Sequence, residues 1–233
     1  MRSQRSAADL ITSRENDKLK LVRKLHERRW REKLGLFFVE GEDLVDAALG
    51  AGWDAEELLV AGDNVEPSLL AEVSTLGHPP RVIGLFRRRE QSRAADVTLA
   101  LWRVADPGNV GTLLRSADAF GAGVMLSDGC ADPFGPKALR AGMGSTFRVP
   151  ISAFELPRGS VALVPAGGEP LDALALDRYA TFVVGSEREG LPDEVVARCE
   201  VRATIPVQKV ESLNVAMAGT IALYAHSRHS AVT

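Results

Sequence analysis

The chain has 233 residues, 45% hydrophobic and 25% charged, a balance that supports one large or two modest globular cores. No apolar run approaches the roughly 20 residues that span a bilayer, and the N-terminus lacks the continuous apolar core of a signal peptide. The expectation is therefore a cytoplasmic protein with no membrane partner. Cys130 and Cys199 are too few for a disulfide framework and lack the paired spacing of a zinc site, so they predict two ordinary thiols and no metal.

Net charge is -3, which disfavours a nucleic-acid partner only if charge is spread evenly. Residues 1 to 40 instead hold eleven bases against six acids. A second cluster, Arg87, Arg88, Arg89 and Arg93, follows. Such clusters read either as solvated helix faces or as an electrostatic footprint for phosphates.

In chain order, "NDKLKLVRKLHERRWREKLG" places Leu19, Val22, Leu25 and Leu34 near helical spacing with bases between them, and predicts one amphipathic basic helix stopping at Gly35. Strands are expected at "LFFVEG", "ELLVAG" and "RVIGLF", and helices at "EDLVDAALGAG" and "PSLLAEVSTLG". Alternating elements over residues 36 to 86 describe a small α/β domain, with the polar "RRREQSRAAD" as its linker. The expected domains are 1–95 and 96–233.

The second series begins with the strand "DVTLALWRV" and a helix running through "VGTLLRSADAF". Strands follow at "GAGVMLSDG", "STFRVPI", "VALVPAGG", "ATFVVGSEREG" and "VRATIPV", with helices at "PFGPKALRAGMG", "PDEVVARC" and the chain's end. Continuous apolar strands predict a mainly parallel sheet covered by helices. Open parallel sheets bind ligands beyond the carboxyl ends of their strands, so the loops that follow strands are the informative ones.

Three such loops stand out. In "ADPGNVGTLLRSADAFG", Asn109 is expected as N-cap of a helix whose free N–H groups could receive an anion, with Arg115 two turns along; a capped helix with a surface arginine fits equally. It matches neither phosphate-loop spacing. In "GSEREGLP", Gly185 and Gly190 bracket Glu187, and glycine would let backbone approach a ligand. In "VQKVESLN", a serine or an asparagine, Ser212 or Asn214, can cap the closing helix, and with Ser212 as cap Asn214 lies two residues inside.

Together, "NVGTLLRSADAFG", "VVGSEREGLP" and "IPVQKVESLNVAMAGTIALY" resemble, in order and spacing, the three motifs of the SpoU/TrmH family of RNA ribose 2'-O-methyltransferases, of the SPOUT class. The resemblance covers residues 96 to 228. Residues 13 to 90, with "FFVEGEDLVDAAL", are more loosely similar to the substrate-binding domain fused in front. The implied fold class is α/β, a mainly parallel sheet with a C-terminal trefoil knot preceded by a small α/β domain. The resemblance implies S-adenosylmethionine as cofactor, held by Gly185, Ile205 and Leu213 with Pro165 and Ala166. It also implies a homodimer through the C-terminal domain, whose interface completes the site.

The implied reaction is in-line methyl transfer to a ribose 2'-hydroxyl of structured RNA, ribosomal rather than transfer RNA. Arg115 is the residue the family places on that hydroxyl. A guanidinium stays protonated at neutral pH, so the expectation is that Arg115 positions a phosphate and stabilises the alkoxide, with the phosphate or a transiently neutral arginine taking the proton. Asn109, Glu187, Ser212 and Asn214 are expected to hold the arginine and the ribose. Lys18, Lys20, Arg23, Lys24, Arg28, Arg87, Arg88 and Arg140 are the candidate RNA contacts. The connection "AFELPRGS" departs from the family, being short for a parallel crossover. A non-catalytic RNA-binding or assembly protein of the same fold is the alternative, and an ordinary nucleotide-binding α/β enzyme the third reading.

Overall fold

The computed structural model describes residues 10–89, 95–210 and 212–230. Arg2 and Arg5, Arg93 and the middle of the expected linker lie outside the described residues. Two compact units form, the first taking residues up to Arg89 together with Phe134–Pro136, the second the remainder.

In the first unit, α1 (Asp17–Leu25), α2 (Arg28–Leu34), α3 (Glu42–Gly50) and α4 (Pro67–Val73) accompany a three-stranded sheet of β1 (Leu36–Glu40), β2 (Ala55–Val60) and β3 (Val82–Arg87). The strands lie in the order β1-β3-β2, antiparallel throughout. Leu19, Val22 and Leu25 of α1 pack with Phe38, Leu59, Leu70 and Ile83. Asn16 caps α1 by accepting the Lys18 N–H at 2.9 Å.

The expected single basic helix is two. Arg31 causes the break: it is buried, and its guanidinium donates to the carbonyls of Leu25 and His26 at 2.7 and 2.8 Å. A cation on the last carbonyls of α1 satisfies groups that a continuous helix would have paired internally. His26 leaves the helix to stack on Phe38, centroids 5.0 Å apart.

The second unit is built on a seven-stranded, wholly parallel sheet: β4 (Thr98–Leu101), β5 (Gly123–Leu126), β6 (Ile151–Ala153), β7 (Ser160–Leu163), β8 (Glu169–Pro170), β9 (Thr181–Val184) and β10 (Val201–Thr204). Their spatial order is β6-β5-β4-β9-β7-β10-β8. The helices are α5 (Pro107–Ala119), α6 (Pro136–Gly142), α7 (Asp193–Val196) and α8 (Val215–Ser230). Alternate residues of each strand serve opposite faces. Leu99, Leu101, Phe182 and Val184 pack with Leu113, Leu114 and Leu223 of α5 and α8, while Ala100 and Val183 pack with Val195 of α7 on the other side.

Glycine sets the contact between α5 and α8. A Cβ at Gly219 would stand 2.5 Å from Leu113 Cδ2, so any larger residue would force that buried side chain to move, and Ser116 and Thr220 hydroxyls meet beside it at 2.6 Å.

Two expectations are corrected here. Residues 145 to 150 are not a strand: Ser145–Phe147 form a 3-10 turn held to α5, since Asp118 accepts from Ser145 Oγ at 2.9 Å and pairs with Arg148 at 2.6 Å. Pairing starts only at Ile151. The short connection from β6 to β7 needs no helix because it is an extended strap. β6 and β7 stand four strand spacings apart, about 19 Å, while the seven Cα steps from Ala153 to Ser160 reach about 25 Å at most. Phe154 and Leu156 of the strap pack onto the face bearing Ala100 and Val183, and Phe154 meets Trp102 edge-on at 5.2 Å. Among the described residues no helix is long and apolar enough to cross a membrane.

Candidate active site

The three loops singled out above meet at the carboxyl edge of the large sheet. Glu187, just past β9, accepts from the backbone N–H of Ala105 and Asp106 at 3.2 and 3.0 Å and from Asn109 Nδ2 at 3.0 Å. Asn109 Oδ1 in turn accepts from Asn214 Nδ2 at 3.1 Å. A carboxylate and two amides thereby tie together segments up to 105 residues apart. Burial pushes the Glu187 carboxyl up, but its hydrogen bonds from Asn109, Asp106 and Ala105 outweigh this and hold it below its ordinary value of 4.5.

One helix cap differs from expectation, and the other falls to the asparagine of the two candidates. Asp106 caps α5, accepting the Asn109 N–H at 2.9 Å, with Pro107 in the first helical position; Asn109 lies inside the helix. The Asp-Pro pair was the available signal. The start of α5 is consequently ill suited to an anion: Asp106 takes the Asn109 N–H, and Glu187, bound to the N–H groups of Ala105 and Asp106 just ahead of the helix, already complements its dipole. Asn214, not Ser212, caps α8, accepting from Ala216 and Met217 N–H at 2.8 and 3.3 Å. Ser212 is exposed at the cavity rim.

Beside this network is a cavity of about 530 Å³. Predicted residues Gly185, Ile205, Leu213 and Pro165 line it, with Glu187, Ser212 and Asn214. Sequence reasoning missed Leu163, Val184, Val207 and Ala218, which give it an apolar wall. Ala166 is not among the lining residues; it is exposed, and the chain turns away at Gly167 and Gly168, whose N–H donates to Thr204 Oγ1 at 3.0 Å.

Gly185 is constrained by its own loop rather than by a ligand. A Cβ there would lie 2.1 Å from the carbonyl carbon of Gly190 and 2.4 Å from Leu191 N. The loop closes tightly because Ser186 and Gly190 exchange two backbone hydrogen bonds of 3.1 Å, with Gly190 at φ 66°.

Arg115 is exposed on α5 and stands apart from both cavity lining and network; its Nη1 donates to the Met143 sulfur at 3.0 Å. The expectation that Asn109, Glu187, Ser212 and Asn214 grip this arginine is thus not met within the described chain.

Of the candidate RNA contacts, most already have partners. Lys18 pairs with Glu57 at 2.7 Å, Lys20 with Glu15 at 3.1 Å, Arg28 with Glu32 at 2.6 Å and Arg87 with Glu56 at 2.7 Å. Arg23 donates to the Arg14 carbonyl, and Arg88 lies 4.8 Å from the Phe134 ring centroid. Arg140 is half-buried in the last turn of α6. Lys24 differs: with Lys33 and Arg29 it surrounds Trp30, at 5.4, 5.1 and 5.6 Å from the ring centroid.

Comparison with known proteins accords with this geometry. Residues 96–224 match the SpoU rRNA Methylase family. The chain belongs to that family. Residues 16–84 match the MRM3-like substrate binding domain. The chain is 32% identical to the 23S rRNA (guanosine(2553)-2'-O)-methyltransferase RlmP of Bacillus subtilis, over 92% of this chain and 97% of that protein. It is 27% identical to the 23S rRNA (uridine(2479)-2'-O)-methyltransferase of Streptomyces viridochromogenes, over 94% and 91%. Among solved structures, the AdoMet-bound rRNA methyltransferase from Sinorhizobium meliloti superposes with a TM-score of 0.85 at 30% identity, covering 94% of this chain and 97% of that one.

Proposed function

We propose that this chain transfers the methyl group of S-adenosylmethionine to a ribose 2'-hydroxyl of ribosomal RNA. The observation that carries the reading is the Glu187–Asn109–Asn214 bridge, which gathers all three family motifs around one cavity of ligand size. Family membership and relatives that methylate 23S rRNA support it.

The cavity fits the cofactor. Leu163, Val184, Ile205 and Leu213 offer an apolar seat for the adenine, and the chain turns at Gly185 and Leu213 present backbone groups to its edge. S-adenosylmethionine bound there supplies a sulfonium methyl, the electrophile. Glu187 stays ionised, with its oxygens committed to three N–H donors, so it organises the loops and is not the base. Arg115 is the residue left to stabilise the forming alkoxide and to hold an RNA phosphate, which takes the proton.

Because Arg115 stands outside the cavity lining of its own chain, the reading includes a homodimer in which each copy completes the other's site. Met217, Ile221 and Tyr224 form an exposed apolar face of α8, with Met143 also exposed, and a second copy covers it. A monomer mass by light scattering would count against this. The C-terminal trefoil knot and residence in the cytoplasm belong to the same reading; the TM-score of 0.85 supports the knot.

The test is Arg115→Ala. Methyl transfer to bacterial ribosomal RNA should fall by about 10²-fold or more while S-adenosylmethionine affinity holds. Undiminished turnover refutes the assignment of Arg115. Absence of transfer by the unaltered protein, with RNA binding intact, leaves the non-catalytic alternative.

A further inference from the structure

We propose that a second cavity, at the carboxyl ends of β4, β5 and β6, is an RNA subsite that takes the base and phosphate of a nucleotide flanking the methylated ribose. This rests on the methyltransferase reading and extends it to residues outside the three motifs. The cavity measures about 560 Å³, and its walls include Trp102, Arg103, Ser127, Asp128 and Phe154.

Arg103 is held in an unusual backbone state. At φ 52° it is, with Met143, one of two non-glycine residues at positive φ among the described residues. The left-handed region is disfavoured for a residue with a Cβ, and survives where neighbours enforce it. Here they do: Arg103 N–H donates to Ser127 Oγ at 2.8 Å, and Ser127 N–H donates to the Leu101 carbonyl at 3.0 Å. Its side chain lies across Gly129, where a Cβ would meet Arg103 Cγ and Nε at 3.4 Å. For all this fixing, the exposed guanidinium makes no hydrogen bond or ion pair among the described residues. Arginine is thus placed at some conformational cost with its five donors unspent.

The surroundings suit a nucleotide. Trp102 is half-buried, pinned on one side by Phe154, and offers an indole to an unpaired base. Arg103 can grip a phosphate with two donors, and Asp128 can accept from a ribose hydroxyl or an exocyclic amine. Position points to RNA rather than a free metabolite. Two and three residues beyond Arg103, the N–H groups of Ala105 and Asp106 donate to Glu187, so one short run of chain leads from this cavity to the network beside the first. β5 and β7, at the hearts of the two cavities, are three strand spacings apart, about 14 Å. A strand of RNA along the sheet edge can bring its target ribose to the mouth of the first cavity while a flanking nucleotide enters the second.

Arg103→Gly tests the idea with opposed readouts. Glycine relieves the left-handed strain, so thermal stability should stay level or rise. Affinity for a fluorescently labelled in vitro transcript of bacterial large-subunit ribosomal RNA should fall about ten-fold by anisotropy, with a matching rise in KM for RNA. The dissociation constant for S-adenosylmethionine should stay within two-fold. Trp102→Leu, which keeps apolar volume but removes the ring, should weaken transcript binding likewise. Transcript affinity within two-fold of the parent for both variants overturns the proposal. Should the parent bind transcript but transfer no methyl group, the methyltransferase reading falls, while the affinity comparison still decides the subsite.

Discussion

Replacing Glu187 by glutamine removes the charge on which the loops after β4 and β9 converge. The carboxylate accepts three N–H groups, whereas a glutamine amide has one acceptor oxygen and would turn its NH₂ toward donors. Hydrogen bonds to charged groups contribute about 1.5–3 kcal/mol each when buried. Glu187 is exposed, and screening reduces that to roughly 1 kcal/mol each. Losing one or two costs about 1–2 kcal/mol, or a fall in Tm of roughly 2–8 °C for a domain of this size. Methyl transfer should drop about 10–100-fold, because Asn109 loses its anchor and the cavity edge loosens.

Scanning calorimetry against pH isolates the cause. The folded Glu187 carboxyl lies below its ordinary 4.5, so its contribution is complete above pH 4.5 and is lost as the pH falls below it through the folded value. The amide introduced by Glu187→Gln does not titrate. The Tm gap between parent and variant should therefore be full at neutral pH and narrow below pH 4.5. A gap that stays constant across that range, or no gap at all, refutes the assigned role.

Gly185→Ala should cost about 1–3 kcal/mol and abolish measurable heat of S-adenosylmethionine binding, since the added carbon stands 2.1 Å from backbone; an unchanged dissociation constant would show the loop yields easily. Lys24 and Lys33 flank Trp30 and form no ion pair among the described residues, so replacing both by Ala should shallow the plot of log RNA affinity against log salt by about 1.4–1.8. Lys18→Ala, with its amine 2.7 Å from Glu57, should change that slope by less than half as much. Equal effects would mean that ion pairing within the domain does not restrain these bases.

Most strands were legible because burial leaves a simple trace: β1, β3, β4, β5, β7 and β9 coincide closely with apolar runs visible in the sequence, while β2 and β10, interrupted by exposed Glu56 and Arg202, only overlap the expected ones. The three loops were legible through resemblance, and their convergence is a property of the topology. Local competition between side chain and backbone was not legible. Arg31 reads as one more charge on a helix face, yet it ends α1 from a distance of five or six residues. "STFRVPI" has the β-branched and aromatic content of a strand, and a carboxylate on a neighbouring helix overrules it. Nor could sequence place Arg115 beside Met143, since helix periodicity gives a direction but no neighbour. Arg103 carries no sequence mark at all, because a left-handed arginine looks like any other.

Connections between strands usually tolerate gain and loss of residues. The run from Phe154 to Gly159 is different in kind, for it traverses most of the sheet with about a quarter of its maximum reach to spare. Evolution and engineering alike should find this crossing permissive to lengthening but closed to shortening by more than a residue, and its own Phe154 and Leu156, packed beside Trp102, make it a lid on the sheet as well as a tether. A displacement at the far edge of the sheet large enough to take up that slack would then pull on β7, whose Leu163 lines the first cavity.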